Sequence, residues 1–307
     1  MGKRDLKSLQ VENKEVWVGF SYKNLIELNP DLFKDNRLSP GGVVKAAGRV
    51  LKEQSDSICR PPNMSCRIHY FGRICKKFDV KRTRWVTEMG FGGLLHLVSD
   101  MHLPRQLAYW IMTRIDPLNR SIIAPDGRVF SFSNNQVRWI LGIPNGSKPV
   151  PTSKMMSSDE RDKVQHVLMK YGSSWKTKSS RGSGNVYTSI GIQLTTQMMD
   201  RLQENFGDEY EEEFKTLFLI VVLHMVLCPT QSPRLGSDLL PALSCAMDWV
   251  NYYWCDLVLK KLMDSVSSFK RRFYANGFAG GCGGCAIFAV TDIQYNGMST
   301  LGSRSGP

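Results

Sequence analysis

The sequence predicts a mainly α, irregular helical domain with one small β-hairpin near residues 121–132. Three observations carry this. Apolar residues recur at helical spacing from about residue 75 onward. Several of these runs begin on a cap-forming residue and stop at Gly or Pro. One Asp-Gly pair, Asp126-Gly127, is flanked by two short β-prone runs, the usual hairpin signal.

Up to about residue 65 the signals are weak. Val16-Trp-Val-Gly-Phe20 reads as a short strand or a helix edge, residues 43–51 as one helix, and Ser39-Pro-Gly-Gly42 and Arg60-Pro-Pro-Asn63 as breaks. Residues 1–71 are therefore expected to be a poorly ordered basic extension. A helical domain is expected at 72–295 and a disordered tail at 296–307.

Within the domain, Trp85 to Val98 predicts a helix interrupted near Gly90–Gly93. Leu107, Trp110, Ile111 and Ile115 form the apolar face of a helix that Asp116-Pro117 ends. After the hairpin, Ser133 with Gln136 is a capping box. Val137, Ile140 and Leu141 follow on one face, with Gly142 and Pro144 as the stop. Ser158 opens a helix to about Tyr171, and residues 172–190, rich in Ser, Gly, Lys and Thr, read as a loop. Thr195 or Thr196 caps a helix to about Phe206. Glu211-Glu-Glu213 places negative charge at the start of the most apolar run, Leu217 to Cys228. A further helix opens at Asp248-Trp249, and a Gly-rich break at 279–285 precedes the apolar Ala286–Val290.

Composition narrows the function. Hydrophobic residues make up 42% of 307, enough for a substantial core. The apolar run of about a dozen residues is short of the ~20 that a bilayer needs, and it contains His224, so no membrane partner is expected. No apolar segment follows the charged Met1-Gly-Lys-Arg-Asp5, so no secretory signal is expected, and the eight cysteines read as reduced thiols. The formal charge of +12 favours a polyanionic partner.

Catalytic and metal motifs are incomplete. Cys59, Cys66, His69 and Cys75 lack the paired short spacing of a structural zinc site. Cys282-Gly-Gly-Cys285 has the Cys-x-x-Cys form, but no βαβ unit leads into it. The glycines around it lack the Gly-Lys-Ser/Thr of a phosphate loop. His96, His102, His166 and His224 have no recognisable nucleophile partner. No enzyme site, small-molecule substrate, cofactor or metal is expected. Charge is more informative. Residues 45–84 hold eleven Lys or Arg against three acids. Lys76, Lys77, Lys81, Arg82 and Arg84 are the densest part, beside Tyr70, Phe71, Phe78 and Trp85. They are the candidate nucleic-acid contacts, the cations meeting phosphates and the aromatics stacking on bases. The alternative is a solvated basic face with its aromatics turned inward.

An ordered series of motifs carries a resemblance. Cys75-Lys-Lys-Phe78, Met89-Gly-Phe-Gly-Gly-Leu-Leu95, Leu107-Ala-Tyr-Trp-Ile-Met112, Ile115-Asp-Pro117, the hairpin and Val137 to Val150 occur in sequence. Leu227-Cys-Pro-Thr230, Ser237-Asp-Leu239, Met247-Asp-Trp249 and Gly284-Cys285 follow. Over residues 72–290 the chain resembles the plant mobile domain, also labelled aminotransferase-like plant mobile domain. Look-alikes include grass proteins in which this region precedes a ubiquitin-like-protein-specific cysteine protease domain. The resemblance implies a transposable-element-derived nuclear protein without catalytic residues in this domain, acting by binding nucleic acid or a nuclear protein. The alternative localisation is cytoplasmic. No lysine here has the context of a pyridoxal Schiff base. The sequence departs from these look-alikes in that no protease-like region follows and residues 301–307 lack their apolar continuation. An N-terminal fragment of such a protease, or a non-functional relic, is the alternative expectation.

Overall fold

A computed structural model describes residues 67–96, 111–112, 114–123, 128–178, 186–230, 232–276 and 283–292. The expected N-terminal extension up to residue 66, the start of the Leu107 helix and the expected tail lie outside these residues.

The described chain is mainly helical, with two small antiparallel sheets. Helices α1 (Ile68–Cys75) and α2 (Val80–Glu88) lead into a 3-10 turn, Gly92–His96. α1 straddles the boundary expected at residue 72, and its Ile68 and Phe71 are buried in the common core. Residues 111, 112 and 114 are helical, but Ile115–Asp116 is strand β1. The helix expected to continue to Asp116 thus stops earlier, because Ile115 pairs with Ile122 of β2 (Ser121–Ile123). β2 in turn pairs with β3 (Val129–Ser131), so the expected hairpin is present with an extra edge strand.

α3 (Asn134–Leu141) has the reciprocal cap read from sequence. Gln136 N–H donates to Ser133 Oγ at 3.3 Å, and Ser133 N–H donates to Gln136 Oε1 at 2.7 Å. Gly142 ends it at φ 58°, in the left-handed region. A Cβ on Gly142 would lie 2.6 Å from the Cα of Gly93, and one on Gly93 would lie 2.5 Å from the Cα of Gly142. Two backbones meet here with no room for a side chain, which explains two of the motif glycines physically. α4 (Ser158–Tyr171) carries a second capping box, Ser157 with Glu160.

Of the residues 172–190 that composition predicts to be a loop, 172–178 and 186–190 are strand. They form β4 (Gly172–Lys178) and β5 (Val186–Ile192), paired over seven residues each. Small polar residues hide the alternation, but Trp175, Val186, Tyr187 and Ile190 have strand preference. α5 (Thr196–Gln203), capped by Thr195, ends three residues before the expected Phe206.

The core is organised around α6 (Glu211–Val222), which continues as a π-helical turn, Leu223–Leu227. Every residue from Phe214 to Leu227 is buried. That is why this run shows no amphipathic period: it is a core helix covered on all sides. Phe214 packs against Phe78, Trp85, Phe206 and Phe218, with ring centroids 5.3–6.2 Å apart. A 3-10 segment, Ser237–Cys245, then leads to a one-turn 3-10 helix, Trp249–Asn251. The long α7 (Trp254–Asn276) begins six residues after the expected Asp248, and the short α8 covers 286–292. Trp249 and Trp254 lie 5.0 Å apart, with Phe91 edge-on to Trp249 at 4.8 Å. No helix among the described residues is long and apolar enough to cross a membrane.

Candidate nucleic-acid interface

The basic cluster lies on α1, α2 and the turn between them. α1 buries Ile68, Phe71, Gly72, Ile74 and Cys75, so its remaining face turns Arg73 to solvent. The chain turns at Lys76-Lys77, both exposed, before Asp79 caps α2 by accepting the Arg82 N–H at 2.8 Å. This hydrogen bond, with the Arg82 charge beside it, holds the Asp79 carboxyl below its usual range.

The five expected cations separate into two groups. Lys76, Lys77 and Arg84 face solvent. Arg84 reaches Glu88 at 3.5 Å, but with both side chains more than half exposed the pair adds little. Lys76 and Lys77 have no ion-pair partner among the described residues.

Arg82 requires a correction. It is 3% exposed, and its guanidinium donates to the carbonyls of Glu204 at 2.8 Å, Lys77 at 2.9 Å and Leu202 at 3.4 Å. It is built into the body of the protein, and both terminal nitrogens of its guanidinium already donate to backbone oxygens. Lys81 is intermediate. Its Nζ lies 2.7 Å from Asp208 Oδ1 and donates to the Phe206 carbonyl at 3.4 Å. Lys81 also draws the exposed Asp208 carboxyl below its usual range.

Phe71, Phe78 and Trp85 are not placed to stack on bases. Phe71 and Trp85 are buried, and Phe78 is half-buried against Phe214 and Phe218. The inward-facing alternative holds for these three. Tyr70 is half-buried, with the Arg73 guanidinium 5.3 Å from its ring. Two exposed cations flank the cluster without having been singled out from sequence: Arg67, just ahead of α1, and Arg73. The helical spacing of Arg73 with Lys76 and Lys77 was the available signal. From Arg67 to Glu88 the chain carries seven Lys or Arg against two acids. Five of the seven cations, Arg67, Arg73, Lys76, Lys77 and Arg84, are exposed.

The candidate reactive groups sit in the core. Burial pushes the thiols of Cys75, Cys245 and Cys255 up to about 12, and Cys228 is raised in the same way. Cys285 is buried, and Cys59, Cys66 and Cys282 lie outside the described residues. His224 is buried in the π-helical turn, and desolvation lowers it to about 4, so its imidazole is neutral at pH 7. Among the described residues no His, Cys, Asp and Glu side chains are grouped to hold a metal.

The family model described as Domain of unknown function (DUF8566) matches residues 64–289. No curated protein matches the chain. No solved structure matches it either.

Proposed function

This chain belongs to the family described as Domain of unknown function (DUF8566), and we propose that it acts as a nucleic-acid-binding module that grips the phosphate backbone through the α1–α2 turn. The observation that carries this is the exposure of Arg67, Arg73, Lys76, Lys77 and Arg84 along the single segment that forms α1, the turn and α2. Flexible cations on a rigid support suit phosphate neutralisation and the counterion release that drives it. With Phe71, Phe78 and Trp85 packed into the core, base stacking from this face has little support, so the contact reads as backbone-directed and tolerant of sequence.

The reading is of a binding module rather than an enzyme. The raised thiols and the neutral, buried His224 support it. It agrees with the transposable-element-derived nuclear role implied by the resemblance to the plant mobile domain, and the nucleus is the compartment proposed.

The test is salt-titrated binding of the full chain to duplex DNA by fluorescence anisotropy. K76A/K77A/R84A is expected to lower the slope of log affinity against log salt by about two to three, since each phosphate contact contributes about 0.9. Absence of binding at low salt, or an unchanged slope in the variant, overturns the proposal.

A further inference from the structure

The two faces of the β4–β5 ribbon differ: Trp175 is partly covered on one, while the other is exposed at Ser174, Lys176, Val186, Thr188 and Ile190 and is buried at its base by Ile192. Trp175 marks the inner face. Its ring covers Gly191, where a Cβ would come within 2.8 Å of it, and the Arg234 guanidinium lies 4.0 Å from its centroid. On the other face, directly paired residues point the same way. Ser174 pairs with Ile190 and Lys176 with Thr188, and all four are exposed. Ile190 is 61% exposed and Val186 52%, values that core packing does not explain.

The stretch of sequence that runs through the ribbon is one-sided in charge. Residues 163–199 contain Lys163, Lys170, Lys176, Lys178 and Arg181 and no Asp or Glu. At the chain's average of 28 acids in 307 residues, such a stretch would hold about three. Arg181 lies outside the described residues and Lys170 is paired with Glu213; Lys176, opposite Thr188, is an exposed cation that the register places on the outer face. Hydroxyls of Ser174 and Thr188 flank it as donors.

We infer that the β4–β5 ribbon is a second nucleic-acid contact, laying its outer face, Ser174, Lys176, Thr188 and Ile190, along a duplex. Two strands of seven residues make a ribbon about 23 Å long and one strand spacing wide, and the major groove of B-DNA admits such a ribbon. Lys176 and the two hydroxyls meet phosphate or base edges, and Ile190 packs against the apolar part of a base, such as a thymine methyl. An added peptide strand or a second copy of the chain is the competing occupant, but strands that carry Lys and no Asp or Glu match a polyanion. The inference rests on the polyanion reading and extends it to a separate element.

The experiment uses the full chain, the same duplex and the same salt titration. K176E is expected to weaken binding about tenfold and reduce the salt slope by about one. S174K/T188K, at two exposed positions, is expected to tighten binding and raise the slope by one to two. A photocrosslinking amino acid at position 190 is expected to capture DNA. If wild type binds and K76A/K77A/R84A weakens it while both ribbon variants match wild type, the ribbon inference falls and the α1–α2 reading stands. Crosslinking of position 190 to a second copy of the chain instead of DNA also overturns the inference. If wild type does not bind DNA at all, both fall.

Discussion

Arg82 Nη1 donates to the carbonyl oxygen of Glu204 at 2.8 Å, joining residues 122 positions apart. Leu202 and Glu204 lie at the C-terminal end of α5, where helix carbonyls lack intrahelical partners. The guanidinium supplies donors there, and its charge suits the negative end of the helix dipole. One side chain thus caps α5, ties it to α2 and closes the Lys77 turn.

Arg82→Ala should leave these oxygens short of donors in a buried setting and destabilise the fold by about 3 kcal/mol. Arg82→Lys retains charge but not the fork, and should lose roughly half as much. Urea midpoints measure both. DNA affinity per folded molecule should stay at the wild-type value. A tenfold affinity loss at unchanged stability would contradict the capping role.

Gly93→Ala forces a methyl group into the backbone of Gly142 and should destabilise by about 2–3 kcal/mol. Gly142→Asn separates two explanations. Asn tolerates the left-handed conformation, so if φ alone mattered it would be mild. The close approach predicts that Asn is nearly as harmful as Ala. Thermal melts of the three variants decide.

His224 sets an acid limb. Its folded value of about 4 lies below the ordinary 6.5, so the unfolded chain takes up the proton first. Stability is therefore present above about pH 6.5 and lost as pH falls toward 4. The loss at pH 5 should be about 2 kcal/mol. In His224→Leu this component of the pH 7 to 5 difference disappears. If urea midpoints at pH 7 and 5 differ as much in the variant as in wild type, His224 is not the group responsible.

Phe214→Ala removes the ring shared by Phe78, Trp85, Phe206 and Phe218. It should cost about 3–5 kcal/mol and shift the near-ultraviolet signal of the tryptophans. A loss under 1 kcal/mol would show that the surrounding helices collapse onto the gap.

Much of the helical framework was legible because its signals are local. The Ser133 capping box, the Gly142 stop and the acidic start of α6 are each written within a few residues. The β4–β5 hairpin was not, since its strands are made of Ser, Thr, Lys and Gly as well as apolar residues, a composition shared with loops. Long-range pairing overrode that local preference. The basic cluster was legible as charge but not as geometry. Nothing near Arg82 in the sequence announces the carbonyls of residues 202 and 204 that its guanidinium meets, so charge pattern alone does not separate it from the four other cations.

The buried helix α6 also sets an order of events during synthesis. Phe71, Phe78 and Trp85 leave the ribosome well over a hundred residues before Phe214 and Phe218, the rings they pack against. Until α6 emerges, the apolar faces of α1 and α2 have no native cover from it. Contacts so distant in sequence make folding slow, and the waiting surface is open to association with other nascent chains. Expression yield should therefore depend on chaperone supply and growth temperature more than the native state's own stability would indicate.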